Sequence, residues 1–138
     1  NSYAILPREH VLCLAEIEGD LLTQLAAVLA VGGSAVWPEA ELTKALFARL
    51  PKEIQAKIKL VSDWSKDEVL FDAVLHHGHS DQLRAVCQQV AKRAGAIVGV
   101  HGLSQGETNI ALERLVIERA LSVNTAAAGG NASLMTIG

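Results

Sequence analysis

The feature that most constrains this chain is a repeated exchange between short apolar runs and longer stretches with helical spacing. Val11-Leu12-Cys13-Leu14-Ala15 is short, apolar and follows Pro7, which predicts a buried strand. Leu21 to Val31 sets apolar residues at helical spacing and stops at Gly32-Gly33, a C-terminal cap signal. Ala35-Val36-Trp37 predicts a second strand, ended by Pro38. Glu39 to Leu50 predicts a helix with acids in its first turn, closed by Pro51. Lys57 to Val61 and Phe71 to Leu75 predict a third and a fourth strand. Ser80 or Asp81 would cap the next helix, which runs to about Ala94 and ends at Gly95. Ala96-Ile97-Val98-Gly99-Val100 predicts a fifth strand.

Strand, helix and strand repeated in this order imply a parallel sheet covered by helices. The runs are continuous rather than alternating, as expected when both faces of a parallel sheet are buried. The predicted fold class is α/β: a Rossmann-like three-layer parallel sheet over residues 8 to about 103, with a C-terminal β-hairpin or extended tail. By length the 138 residues make one domain. Within it we expect a Rossmann-like part, 1–108, and a β-hairpin arm with a terminal docking motif, 109–138.

Composition narrows the function. Half of the residues are apolar (50%), enough for a real core. No apolar run approaches the roughly 20 residues that span a bilayer, despite a mean hydropathy of +0.27. Twelve basic against 15 acidic residues, net −3, argue against a nucleic-acid partner, which calls for a basic stripe. Two cysteines outside any C-x-x-C pair fit a reducing compartment, and hence a cytoplasmic location. No basic segment precedes an apolar one as in a signal peptide. The chain starts at Asn1 without Met, so we expect it to be a piece of something longer.

Four local patterns bear on chemistry. His76-His77-Gly78-His79 has the look of a metal cluster, which His101 after the next strand could join. Strand neighbours point to opposite faces, however, so His76 and His77 do not converge on one ion, and the reading is a polar strand end and turn. No metal ligand is assigned. Cys13 falls mid-strand and Cys87 inside a helix; both are expected to be buried, inert thiols, since no activating base is visible beside either. The first strand–helix junction, Ala15-Glu16-Ile17-Glu18-Gly19-Asp20, has one Gly among three acids where a dinucleotide site has G-x-G-x-x-G. Acids there would repel phosphate, so no catalytic or cofactor-binding residue is assigned. Asn131-Ala132-Ser133 matches a glycosylation sequon, read as accidental in a chain with no secretion signal.

The last third differs in character. Leu115 to Val123 carries β-branched residues and reads as an extended strand leaving the core. Asn124 to Asn131 reads as a small-residue turn, and Ala132 to Ile137 as a returning strand. From Ala120 to Gly138 there is no charged residue. Exposed hairpin edges normally carry charges that block pairing. An uncharged one is expected to dock on another surface by strand addition; the bland alternative is a disordered end.

Leu25-Ala26-Ala27-Val28-Leu29-Ala30-Val31-Gly32-Gly33-Ser34-Ala35-Val36-Trp37-Pro38-Glu39 resembles the cofactor-domain segment of aldehyde dehydrogenases. In that family a Lys precedes the Pro and contacts the adenosine ribose of NAD; Trp37 stands in its place here. Asp72 to Val100 resembles the later strand–turn–helix–strand, with Gly78-His79-Ser80 near the family's Gly-Ser turn. The family's Glu-Leu-Gly-Gly element is replaced by Val98-Gly99-Val100-His101-Gly102, and the domain bearing the nucleophilic Cys has no counterpart.

A closer resemblance lies at both ends. Pro7-Arg8-Glu9-His10-Val11-Leu12-Cys13-Leu14-Ala15 and Ser122-Val123-Asn124-Thr125-Ala126-Ala127-Ala128-Gly129-Gly130-Asn131-Ala132-Ser133-Leu134-Met135-Thr136-Ile137-Gly138 are similar to the C-terminal domain of long forms of the proline utilization A family. Gly106-Glu107-Thr108-Asn109 and Leu112-Glu113-Arg114-Leu115 extend the resemblance over nearly the whole chain. It implies a parent that oxidises proline in an FAD domain and glutamate semialdehyde in an NAD domain, with the intermediate passed internally. It implies that this domain is a non-catalytic relative of the aldehyde dehydrogenase cofactor domain, without a cofactor of its own. It would pack on the dehydrogenase module of the same parent chain, and Ser122–Gly138 would help to seal the channelling cavity. Some long members act as DNA-binding repressors or sit on the inner face of the cell membrane. Neither nucleic acid nor membrane contact is expected through this domain. Two rival expectations stand beside the lid: a small domain that still binds NAD or another nucleotide, and a homodimerisation module, which includes self-association of the isolated chain.

Overall fold

In a computed structural model, residues 3–7, 10–94 and 98–120 are described. Their elements are β1 (Tyr3–Pro7), β2 (His10–Leu14), α1 (Glu18–Ala30), β3 (Ser34–Pro38), α2 (Glu41–Arg49), α3 (Lys52–Gln55), β4 (Ile58–Val61), β5 (Ala73–His77), α4 (Ser80–Ala91), β6 (Gly99–Leu103), a 3₁₀ turn (Leu112–Leu115) and β7 (Val116–Ala120). The turn Asn124–Asn131, the returning strand Ala132–Ile137, the sequon and the motif Ser122–Gly138 lie outside the described residues, as does the expected helix end at Gly95.

Five strands form one parallel sheet in the order β4-β3-β2-β5-β6. This is the α/β, Rossmann-like arrangement expected from the exchange of apolar runs and helices. The order reverses between β2 and β5. Right-handed crossovers running in opposite directions from that point place helices on opposite faces. Val11, Cys13, Ala35, Trp37, Ile58, Ala73 and Leu75 bury one face against Leu21, Leu25 and Val28 of α1 and Leu46 of α2. Leu12, Val36, Val61, Phe71 and Val74 bury the other against Val90 of α4. Alternate residues of each strand thus feed two separate cores, which is why the strands read as unbroken apolar runs.

The end of α1 shows how the sequence fixes a boundary. The Gly33 N–H bonds the Val28 carbonyl and the Gly32 N–H bonds that of Leu29, each at 3.0 Å. This Schellman pattern needs a left-handed residue, supplied by Gly32 at φ +83°. Pro51 ends α2 as expected, and it also opens the short α3, for which it is the N-cap.

Several boundaries differ from expectation. The fourth strand lies at Ala73–His77, two residues later than Phe71–Leu75. Phe71 is spent on packing beneath Arg93, and the chain is clamped to β2 only at Asp72, whose N–H bonds the His10 carbonyl at 2.7 Å. Pairing then continues through His76 and His77, opposite Leu14 and Leu103. The histidines thus end the strand just before Gly78, as expected, and both are buried. Of the expected fifth strand, 96 and 97 lie outside the described residues; the observed strand is Gly99–Leu103 and runs three residues past Val100. The N-cap of α4 is His79, not Ser80 or Asp81. Tyr3–Pro7, unassigned from sequence, pairs antiparallel with β7, Tyr3 opposite Ala120 and Pro7 opposite Val116. Among the described residues no helix is long and apolar enough to cross a membrane.

Candidate functional site

In an open parallel sheet, ligands gather outside the carboxyl ends of the strands where the order reverses. Here that place is a cleft of about 310 Å³ between β2 and β5. Leu14, Ala15, Pro38, Trp64 and Val86 give it apolar walls; Glu16, Thr43, His76, Gln82 and Gln89 supply polar groups. Among the described residues no Lys or Arg lines it.

The acidic turn at its rim is occupied by the chain itself. Glu16 accepts a hydrogen bond from Gln82 Nε2 at 2.9 Å. Glu18 pairs with Arg49 at 2.5 Å. Asp20 is 2% exposed and accepts the Gly106 N–H on both carboxylate oxygens, at 3.0 and 3.2 Å. Where a dinucleotide site offers free backbone N–H groups and a glycine-rich approach, this chain offers three carboxylates with partners. Such a rim is a poor seat for a pyrophosphate, on charge and on space.

Gln82 closes the mouth from the other side. Its Oε1 accepts the His79 N–H at 3.0 Å while its Nε2 reaches Glu16, so one amide ties the start of α4 to the β2–α1 turn. Gly78 makes room for it. A Cβ there would lie 2.3 Å from Gln82 Oε1, and φ is +157°. The expected Gly-His-Ser turn is thus present, and it is filled by a glutamine.

His76 and His77 point to opposite faces, as neighbours on a strand must. His77, 2% exposed, joins a polar network on the α1 face. Its Nδ1 accepts from Gln24 Nε2 at 2.8 Å, which fixes the proton on Nε2. That Nε2 donates to the Glu107 carbonyl at 2.8 Å and lies 3.8 Å from Asp20. The same Gln24 amide donates to the Leu14 carbonyl of β2 at 3.0 Å and approaches that of Leu75 of β5 at 3.4 Å. It bridges the two strands at the point where the sheet order reverses. Gln24 Oε1 remains unpaired. His76 faces α4; its Nδ1 is buried without a partner. Burial, reinforced by the nearby His77, pulls its pKa below the ordinary imidazole range, while Glu16 works the other way. Among the described residues no three His, Cys, Asp or Glu converge on a metal position.

Cys13 is buried and its thiol is pushed up to about 12 by desolvation. Cys87 is exposed, contrary to expectation: α4 buries only Val90 fully and turns Cys87 outward. Trp37 is wholly buried in the α1–α2 layer and does not line the cleft.

Sequence reasoning missed Gln24, Gln82 and Arg93. Gln24 had a signal, a lone amide on the buried Leu21-Leu25-Val28 stripe. Arg93 had none. Its guanidinium donates to the carbonyls of Trp64, Lys66 and Val69, and stacks 4.3 Å from the centre of the Phe71 ring.

No family model matches the chain. Over all 138 residues it is 58% identical to bifunctional protein PutA of Escherichia coli K12, and 58% identical to that of Salmonella typhimurium LT2. It is 36% identical over 143 aligned positions to bifunctional protein PutA of Rhizobium meliloti. The alignment takes in 100% of this chain in each case, but only 10%, 10% and 12% of the relatives. The chain thus spans about a tenth of the length of the curated relatives it matches. From end to end it is homologous to one segment of those bifunctional proteins.

Proposed function

We propose that this chain is the C-terminal docking domain of a bifunctional PutA that oxidises proline to glutamate in two steps. The parent's FAD domain would oxidise proline. Its NAD domain would oxidise glutamate semialdehyde. This domain would catalyse neither step; it would pack on the dehydrogenase module and help to keep the reactive intermediate from escaping. The observation that carries the reading is full-length homology to a PutA segment on a Rossmann-like sheet whose phosphate end is taken up by Glu16, Glu18 and Asp20.

The residues at the strand ends do not fit a dinucleotide. The docking element would be Ser122–Gly138. Its chemistry suits that role: Ala126 to Gly130 permit close backbone approach, and Leu134, Met135 and Ile137 would each contribute about 1.5–3 kcal/mol if fully buried on a partner. Asn124 and Asn131 can satisfy backbone groups at the turn.

The test is deletion of residues 122–138 from the parent. The account expects the aldehyde step and the coupled flux from proline to glutamate to fall while the flavin step is retained. Full coupled flux after the deletion would overturn it.

A further inference from the structure

The cleft between β2 and β5 rejects a pyrophosphate, yet its volume of about 310 Å³ is that of a small-molecule site. Its charge is one-sided: among the described residues it is lined by one carboxylate, Glu16, and by no Lys or Arg. The positive ends of the nearby helices do not make up the deficit, because Glu18 and Asp20 stand in the first turn of α1 and Asp81 in that of α4. Several of its polar groups are already spent within the chain. The Thr43 hydroxyl donates to the Pro38 carbonyl at 2.7 Å and accepts the Ala40 N–H at 2.9 Å, and both ends of the Gln82 amide are bonded. Glu16 and His76 are different. Glu16 is exposed and gives one oxygen to Gln82, which leaves the other as an acceptor. His76 lines the cleft, is only 6% exposed, and has an Nδ1 buried without a partner. An orphaned polar atom of this kind is rare in a folded chain and calls for a reason.

We propose that this cleft binds a small organic cation, a protonated amine on an apolar body, with its N–H groups toward Glu16 and His76 and its carbon skeleton on the Leu14, Trp64 and Val86 walls. An ammonium group is all donor, and Glu16 and the neutral His76 ring offer acceptors. Burial, which holds the His76 pKa below the ordinary imidazole range, keeps that ring an acceptor on one nitrogen. Trp64 adds an aromatic wall of the kind that attracts cations. Other ligand classes fit less well. A carboxylate or phosphate would meet Glu16 with no counter-charge among the lining residues. A purely apolar molecule would shut Glu16 and His76 away from water without giving them a partner. Binding of this kind is independent of the docking role.

A nitrogen–proton NMR titration of the 138-residue chain tests it, with three probes of one shape and different charge: benzylammonium, benzyl alcohol and benzoate, each to about 50 mM at pH 7 and constant ionic strength. Benzylammonium is expected to give saturable shifts at the amides of 14–16, 76, 82 and 86 and at the His76 ring nitrogens, with a dissociation constant of roughly 1–20 mM for a molecule of its size. Benzyl alcohol should bind at least about threefold more weakly, and benzoate should not saturate. Glu16→Gln, at an exposed position, should weaken benzylammonium at least about threefold and leave the rest of the spectrum in place. The three probes need no substitution, so the charge preference is read on the unaltered chain. No saturable shift with benzylammonium, shifts confined to other parts of the chain, benzoate binding as well as the amine, or affinity indifferent to Glu16→Gln would each overturn the proposal.

Discussion

Replacing Asp20 by Ala tests whether the acidic turn is structural. Asp20 sits in the first turn of α1, is 2% exposed, and holds the Gly106 N–H between its two oxygens at 3.0 and 3.2 Å. The bond joins residues 86 positions apart and secures the segment after β6, whose Glu107 carbonyl in turn receives His77. A hydrogen bond to a charged group is worth about 1.5–3 kcal/mol, and its loss leaves a partly buried N–H without an acceptor. We therefore expect Asp20→Ala to cost about 2 kcal/mol. With a urea slope of about 1.5 kcal/mol/M, the midpoint should fall by about 1 M at unchanged slope. Asp20→Asn keeps an oxygen in place without the charge and should lose about half as much. Amide exchange at Gly106 should accelerate in the Ala variant before the sheet strands respond. A loss under about 0.5 kcal/mol, the size of an ordinary surface substitution, would refute the assignment.

Four further outcomes follow from the same structure. Arg93→Ala should cost about 2 kcal/mol and raise exchange across residues 62–72; Arg93→Lys should not restore stability, because an ammonium cannot reach three carbonyls and stack on Phe71 as a planar fork does. A native thiol titration at mildly alkaline pH should label Cys87 and leave Cys13 until the chain unfolds. Because the folded Cys13 pKa lies at about 12, above its unfolded value, its contribution to stability is complete below about pH 8.5 and is lost as pH rises toward 12, which pH-dependent urea melts would read out. Calorimetric titration of the chain with NAD to millimolar concentration should give no saturable heat; saturable binding would return the cleft to the nucleotide-binding class.

The sheet and its covering helices were legible because apolar runs five residues long, separated by helix periods and glycine stops, leave few other solutions. Gly32-Gly33 marked the end of α1 to within one residue, Ala30 against the expected Val31, because a Schellman cap has its own chemistry. Strand ends were less legible: apolar pattern placed β5 too early, since His76 and His77 are polar by type yet buried by position. The ribbon of β1 and β7 escaped because pairing between residues more than 100 positions apart leaves no local trace. At the cleft, the three acids were visible but their partners were not. Gln82, Arg49 and the Gly106 N–H come from three separate parts of the chain, and only the fold assembles them.

The most direct test of the docking account is a titration of this chain into a separately produced PutA dehydrogenase module that lacks the corresponding segment. The account predicts saturable association that weakens at least about tenfold when residues 122–138 are removed. Absence of association up to about 100 μM, a free-energy floor of roughly 5.5 kcal/mol, would contradict it.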